Sequence, residues 1–351
     1  MKLEYSEKGT FKLQQLSDRF QQFSIECKGS SKLYELLSLH IAREKEILRL
    51  GAYARKGQPV PNLLFGAVHY LLLKGIDHPL KDFYMSITKN PDKMENCPPF
   101  FTDFCSKYEN EIIHLLQTKL VQTNEVRRCA YLYPAFCYIY ELTKQPLALI
   151  EIGTSAGFQL LWDQYKYSYG TGEIYGNKNS NIHLMSEIKN GNSPFLFEEP
   201  PPVSHRIGTD LHINNVSNQD DYIWLMALIW PEHNDRRTML RKVAQVVNNN
   251  NLKLIQGDGI TLIPKITEQV KDNSTLCIFH THVANQFSHG DKVRLLDKIQ
   301  KISRTRDIFH LYNNMFDGDL HLDYIIDGKK QMKTIGKTEG HGNWFEWRIN
   351  S

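Results

Sequence analysis

The chain has 351 residues, 41% of them hydrophobic, with 42 basic against 39 acidic side chains. That length exceeds one average domain and suits a large α/β domain with an added helical one, while the near balance of charge gives no large single-sign field and no indication of a nucleic-acid partner. The opening MKLEYSEKGTFKLQQL has no apolar centre of secretory type, and the longest apolar run, Ile223 to Trp230, is too short to cross a bilayer. The six cysteines include no Cys-x-x-Cys pair, so a reduced, cytoplasmic protein without a membrane role is expected.

From about Thr10 to Glu141 apolar residues recur at helical spacing, as in Leu13, Leu16, Phe20 and Phe23 and again in Leu33, Leu36, Leu37 and Ile41. Breaks at GQPVPN, NPDKMENCPP and KQP divide the region into about five or six helices, predicting an all-helical domain over residues 1–145. Near its end VQTNEVRRCAYLYP reads as a helix start, with Thr123 as N-cap and with Asn124 and Arg128 sharing one face. If that helix leans over the next strand end, Arg128 pairs with a carboxylate of cofactor or substrate and Glu125 serves as a base. The plainer reading is a capping Thr with Asn and Glu at the positive helix end.

After Pro146, short apolar runs between helical stretches predict a mostly parallel sheet covered on both faces, with strands at 147–152, 204–209, 252–256, 275–280 and 307–312. The first, LALIEI, carries Glu151 at its end and runs into Gly153-Thr154-Ser155-Ala156-Gly157. A carboxylate at the end of a buried strand is costly unless hydrogen-bonded, and the ribose hydroxyls of a nucleotide-like ligand supply such bonds. Gly153 and Gly157 would admit close backbone approach, and the amides of Ser155, Ala156 and Gly157 would open a helix whose positive end favours an anion. The run matches neither the dinucleotide fingerprint nor the phosphate loop. It does spell G-x-S-x-G, so Ser155 as a hydrolase nucleophile is the rival reading, with Asp258 or Asp307 and then His310 or His341 in triad order. An α/β-hydrolase, however, builds several strands before its elbow, whereas this one follows a helical region.

Between Tyr165 and His205 a Gly-, Asn-, Ser- and Tyr-rich stretch ends in Pro200, Pro201 and Pro202, and its length predicts an inserted lid over about 165–205. Tyr165, Tyr167 and Tyr169 would give that lid a hydrogen-bonding aromatic face toward substrate. Asp210 in RIGTDLH and Asp258 in LIQGDGI fall at later strand ends, where ligands of open α/β sheets sit, although Asp is also common in turns. Asp221 to Val247 reads as helices broken near Pro231, with Trp224 and Leu228 buried and Arg236, Arg237 and Arg241 on a solvated face. His280-Thr281-His282 closes the fourth strand. A period of two puts both imidazoles on one side, suited to acid/base or orienting work or to plain hydrogen bonding, and too few further ligands stand nearby for a metal. An Asp327-Gly328 turn and the alternating GNWFEWRI predict a closing antiparallel hairpin, with His341, Trp344 and Trp347 finishing the sheet.

Glu151-x-Gly153-x-x-x-Gly157 resembles the first motif of Rossmann-fold S-adenosylmethionine-dependent methyltransferases. That resemblance implies S-adenosylmethionine as cofactor, with Glu151 or Asp210 on the ribose hydroxyls and Asp258 on the adenine amino group. One departure is the spacing of Glu151 and Asp210, far longer than the roughly 20 residues of a plain strand-helix-strand unit. Together with GQPVPNLL, QTNEVRRCA, EIGTSAGFQLLWDQYKYSYG, WLMALIWPE, the GDG at Gly257 to Gly259 and HGNWFEW, the motif makes the chain resemble the bacterial family catalogued as domain of unknown function 2332. It implies a helical N-terminal region fused to a Rossmann-like, methyltransferase-type domain over residues 146–351.

The resulting expectation is a methyltransferase acting on a small molecule, with Glu151, Gly153, Ser155, Gly157, Asp210 and Asp258 at the cofactor. Glu125, His280 and His282 are the candidates for chemistry, and Asn124, Arg128 and Tyr165 for substrate. A serine hydrolase using Ser155 and a non-catalytic nucleotide- or cofactor-binding protein are the alternatives, and no oligomeric state is implied.

Overall fold

A computed structural model describes residues 7–350, with side chains from Lys12 onward. The chain forms two compact units, one running to Thr123 and resumed at Asn218–Leu240, the other made of Asn124–Ser217 and the chain from Arg241.

The first unit contains α1 (Glu7–Cys27), α2 (Lys32–Ile41), α3 (Lys45–Gly51), α4 (Val60–Leu73), α5 (Cys97–Lys107) and α6 (Glu109–Thr118). Ser31 starts α2 by accepting from the Tyr34 amide at 3.2 Å, and Pro61 stands in the first turn of α4, where its missing N–H costs nothing. Phe20, Phe23, Phe65, Phe101 and Phe104 make an aromatic core with Tyr34, whose ring stacks on Phe65 at 4.2 Å. Trp224 and Leu228 complete it, and Gly66 lets Leu228 approach, since a Cβ there would stand 3.0 Å from Leu228 Cδ2. Arg237, expected on a solvated face, is instead buried. It donates to the carbonyls of Trp230 at 2.9 Å and Pro231 at 2.7 Å, groups that the chain break at Pro231 leaves outside any helix.

The second unit begins with α7 (Cys129–Thr143) and continues as β1 (Leu147–Ile152), β2 (Lys166–Ser168), β3 (Tyr175–Gly176), β4 (His183–Met185), β5 (Glu187–Gly191) and β6 (Val203–Asp210). After α8 (Gln219–Ala227) and α9 (Asn234–Asn248) come β7 (Lys253–Gln256), α10 (Gly259–Thr267), β8 (Thr275–His280), α11 (His289–Ile302) and β9 (Ile308–Tyr312). The chain closes with β10 (Asp319–Ile326), β11 (Lys329–Lys337) and β12 (Trp344–Trp347). The main sheet has seven strands in the order β7-β6-β1-β8-β9-β10-β11, parallel from β7 to β9 and antiparallel beyond. Counted along the chain within this sheet, the first five read third, second, first, fourth, fifth. The direction of winding therefore reverses between β1 and β8.

All five strands expected between 147 and 312 are present within two residues of their expected bounds. Ala148, Ile150 and Ile152 pack with Ile278 against Ile260 and Ile263 of α10 and Leu295 and Ile299 of α11. On the opposite face Phe136 of α7 meets Phe279 of β8 edge-on at 5.4 Å and Trp162 at 4.7 Å.

Three local expectations are corrected. The glycine turn does not open an α-helix: Phe158–Gln164 is a 3-10 segment kinked at Leu161, and the aromatic covering of that face comes from α7. The stretch expected as a lid builds a small sheet, β3-β2-β4, with Tyr165, Tyr167 and Tyr169 buried. Their hydroxyls donate to the carbonyls of Phe158, Trp162 and Ala130, so Tyr165 belongs to a core rather than to a substrate surface. Finally, Asp327 and Gly328 do turn the hairpin at φ 49° and 70°, whereas β12 pairs in parallel with β5 instead of extending the main sheet. All six cysteines are buried and free, and among the described residues no helix is long and apolar enough to cross a membrane.

Candidate functional site

At the end of β1 the Glu151 side chain is buried and accepts from the Thr154 hydroxyl at 2.6 Å. Burial pushes its carboxyl up to about 8, with the nearby Asp210 carboxylate adding to the rise and the Thr154 bond and Arg128 opposing it. The turn that follows is held by its neighbours. The amides of Gly153 and Thr154 both donate to the Thr209 carbonyl, at 2.8 and 3.1 Å, and Asn124 Nδ2 donates to the Thr154 carbonyl at 2.9 Å. Ser155, at φ 51°, donates its amide to Asp210 Oδ2 at 2.8 Å and accepts from Asn214 Nδ2 on its hydroxyl at 2.9 Å.

Asp210 is the last residue of β6, the strand beside β1, despite its distance from Glu151 in sequence. Burial raises its carboxyl, and the amides of Ser155 and His212 pull the other way. The glycines serve the fold first. A Cβ on Gly153, at φ 76°, would stand 2.7 Å from Val283 Cγ2, and one on Gly157, at φ 80°, would stand 2.8 Å from Leu252 Cδ1. These faces, expected to admit a ligand, are occupied by the chain's own aliphatic groups.

Upstream of β1 the helix proper starts at Cys129, later than expected, behind a 3-10 turn over Val126–Arg128 that Glu125 caps by accepting from the Arg127 amide at 3.2 Å. Thr123 therefore does not cap it. Glu125 is buried, with Oε2 3.6 Å from His341 Nδ1. Arg128 is 8% exposed, and its Nε donates to the Gly340 carbonyl at 2.9 Å.

The two histidines after β8 part company. His282 has φ 54°, and this left-handed residue breaks the alternation that would have aligned it with His280. Its amide donates to Asn313 Oδ1 at 2.9 Å, its Nδ1 faces Asn314 Nδ2 at 3.1 Å, and its buried Nε2 has no partner among the described residues. Burial lowers this imidazole to about 3, assisted by the charges of Arg128 and His341. His280 is fully buried with Nε2 3.1 Å from His310 Nε2.

Asp258 caps α10, accepting from the Ile260 amide at 3.1 Å and the Thr261 hydroxyl at 2.5 Å, with Arg294 at 3.7 Å. The residues needed to turn Ser155 into a nucleophile are engaged elsewhere: His310 on His280, His341 facing Glu125, and Asp307 accepting from the Asp327 amide. Sequence reasoning missed Thr154, Asn214, Val283, Asn313 and Asn314. The Asn313-Asn314 pair directly after an apolar strand was a visible signal, whereas nothing in the sequence marks Val283. Among the described residues no group of three or more His, Cys, Asp or Glu side chains is placed to hold a metal ion.

Glu151, Asn124, Arg128 and His282 thus gather around the turn that follows β1. The model of the family described as uncharacterized protein conserved in bacteria, domain of unknown function 2332, matches residues 17–347. The chain belongs to this family. No curated protein and no solved structure matches it.

Proposed function

We propose that the chain is an S-adenosylmethionine-dependent methyltransferase acting on a small molecule. The observation that carries this reading is the placing of three acids at the carboxyl ends of three neighbouring parallel strands: Glu151 on β1, Asp210 on β6 and Asp258 just beyond β7. They line one side of the point where the winding reverses, the usual ligand crevice of an open α/β sheet. The residues fit an adenosyl group at Glu151 above all. One carboxyl oxygen accepts from Thr154, and the other has no protein partner among the described residues, which leaves it for a ribose diol. Asp210 and Asp258 already accept from backbone amides and add polarity more than free acceptors.

When bound, the cofactor supplies an electrophilic methyl group; the protein's part is to position an acceptor in line with it and to keep water out. Val283 and Leu252 close the turn from beneath, Asn124 fixes its outer carbonyl, and Glu125 beside His341 is the carboxylate best placed to take a proton. His280 takes no part, being sealed against His310.

Calorimetry with S-adenosylhomocysteine tests the reading. Wild type binds, and Glu151→Ala loses about tenfold or more, the order expected for losing hydrogen bonds to a diol. Methylated product in a metabolite mixture separates an enzyme from a sensor. Absence of binding at saturating ligand overturns the proposal.

A further inference from the structure

Arg128 is 8% exposed, yet among the described residues it has one hydrogen bond, from Nε to the Gly340 carbonyl, and no carboxylate within ion-pair distance. A guanidinium carries five N–H donors, so most of them have no protein acceptor. Its charge acts on the Glu151 carboxyl without forming an ion pair with it, so the guanidinium itself still lacks an anionic partner. Arg237 shows the alternative, since its guanidinium is met by the carbonyls of Trp230 and Pro231.

A second donor points the same way. Asn314 Nδ2 donates to His282 Nδ1, which puts the imidazole proton on Nε2, the buried atom that lacks a partner. His282 and Arg128 both abut Gly340: the arginine bonds its carbonyl, and a Cβ built on it would stand 3.8 Å from His282 Cε1. Two neighbouring donors, a guanidinium without an ion-pair partner and a buried, unpartnered Nε2, call for a ligand that only accepts and is negative.

We propose that Arg128 and the Nε2–H of His282 form the receptor for a carboxylate on the methyl-acceptor substrate, so that the substrate class is a small carboxylic acid. This rests on the methyltransferase reading only in calling the ligand the acceptor; the anion receptor stands on the donors themselves. Arg128 and His282 bind and orient, and no bond is made or broken at either.

Benzoate and the neutral isostere benzamide serve as probes against wild type, Arg128→Met and His282→Ala. The readouts are thermal unfolding and, for wild type and Arg128→Met, the NMR shift of His282 Cε1–H. Benzoate raises the wild-type midpoint and moves the His282 resonance, benzamide does neither, and both variants lose the benzoate response. Arg128→Met unfolds no earlier than wild type without ligand, because it sheds a charge that forms no ion pair, and this separates a receptor from a structural arginine. S-adenosylhomocysteine is titrated against Arg128→Met in parallel, with at most a several-fold change expected, because the arginine's charge acts on the Glu151 carboxyl without touching it. Equal responses to benzoate and benzamide, a benzoate response that survives Arg128→Met, or a large drop in that variant's unfolding midpoint overturns the inference. Lost S-adenosylhomocysteine affinity in Arg128→Met would give the arginine to the cofactor's carboxylate and overturn it as well. Failure of wild type to bind S-adenosylhomocysteine bears on the methyltransferase reading alone, since the benzoate response is read without it.

Discussion

The imidazoles of His280 and His310, on adjacent parallel strands, share one proton between Nε2 atoms 3.1 Å apart, and each leaves a buried Nδ1 without a partner. Such a pair is stable only while neutral. Burial lowers His280 from 6.5 to about 3 and lowers His310 still more firmly, with His280 adding to the effect.

Acid should therefore loosen the sheet. The unfolded chain takes up protons at about 6.5 that the folded pair refuses, so stability is complete above that value and falls as pH drops toward about 3, by up to about 1.4 kcal/mol per pH unit for each histidine. Urea midpoints measured across this window should fall steeply for wild type. The double variant His280→Leu/His310→Leu should show a clearly shallower decline, and an unchanged slope would contradict the assignment.

Glu151 has the opposite dependence. Its carboxyl is raised from 4.5 to about 8, so the folded state keeps a proton that the unfolded chain gives up; its contribution is complete below about 4.5 and is lost as pH rises through about 8. Glu151→Gln mimics the protonated acid at every pH. We expect it to exceed wild type by about 1–3 kcal/mol at alkaline pH and to match it near pH 4, as read by denaturant unfolding.

Gly153 is fixed by two constraints that can be separated. Gly153→Ala should cost about 2–4 kcal/mol, part from the positive φ and part from the 2.7 Å approach to Val283. Adding Val283→Ala should relieve the steric part only, so the coupling energy in a double-mutant cycle should be favourable and about 1 kcal/mol or more. Additive losses would show that Val283 does not press on the turn.

Arg237→Met in the helical unit should behave unlike Arg128→Met. Removing a guanidinium that satisfies a buried and a partly buried carbonyl leaves them orphaned, and a loss of about 2–4 kcal/mol is expected in chemical unfolding.

Ser155 should be inert as a nucleophile, because its hydroxyl accepts from Asn214 and the candidate histidines are engaged elsewhere. A fluorophosphonate probe should leave wild type unlabelled. Labelling that disappears in Ser155→Ala would restore the hydrolase reading.

The sheet was legible because strands buried on both faces are near-continuous apolar runs, as in LALIEI and TLCIFH, and such runs need no tertiary knowledge to find. Asp210 was legible as a strand-end acid, but its place next to β1 became certain only through strand order. The tyrosines misled, since Gly, Asn and Ser around them read as an exposed loop, while their hydroxyls find backbone acceptors that only the folded small sheet provides. His282 misled for a related reason: periodicity assumes extended backbone, and one left-handed residue cancels it. The pairing of Arg128 with Gly340 lies across the sequence and carries no local signature.

The middle strand of the five parallel ones has a history that its position implies. Leu147–Ile152 leaves the ribosome well before Val203–Asp210, which flanks it on one side, and longer still before Thr275–His280, which flanks it on the other. During synthesis this most apolar ribbon waits with both edges unpaired, a condition that invites aggregation and slows maturation. Co-translational chaperone engagement should therefore begin on nascent chains that end between Ile152 and Val203, before either flanking segment exists.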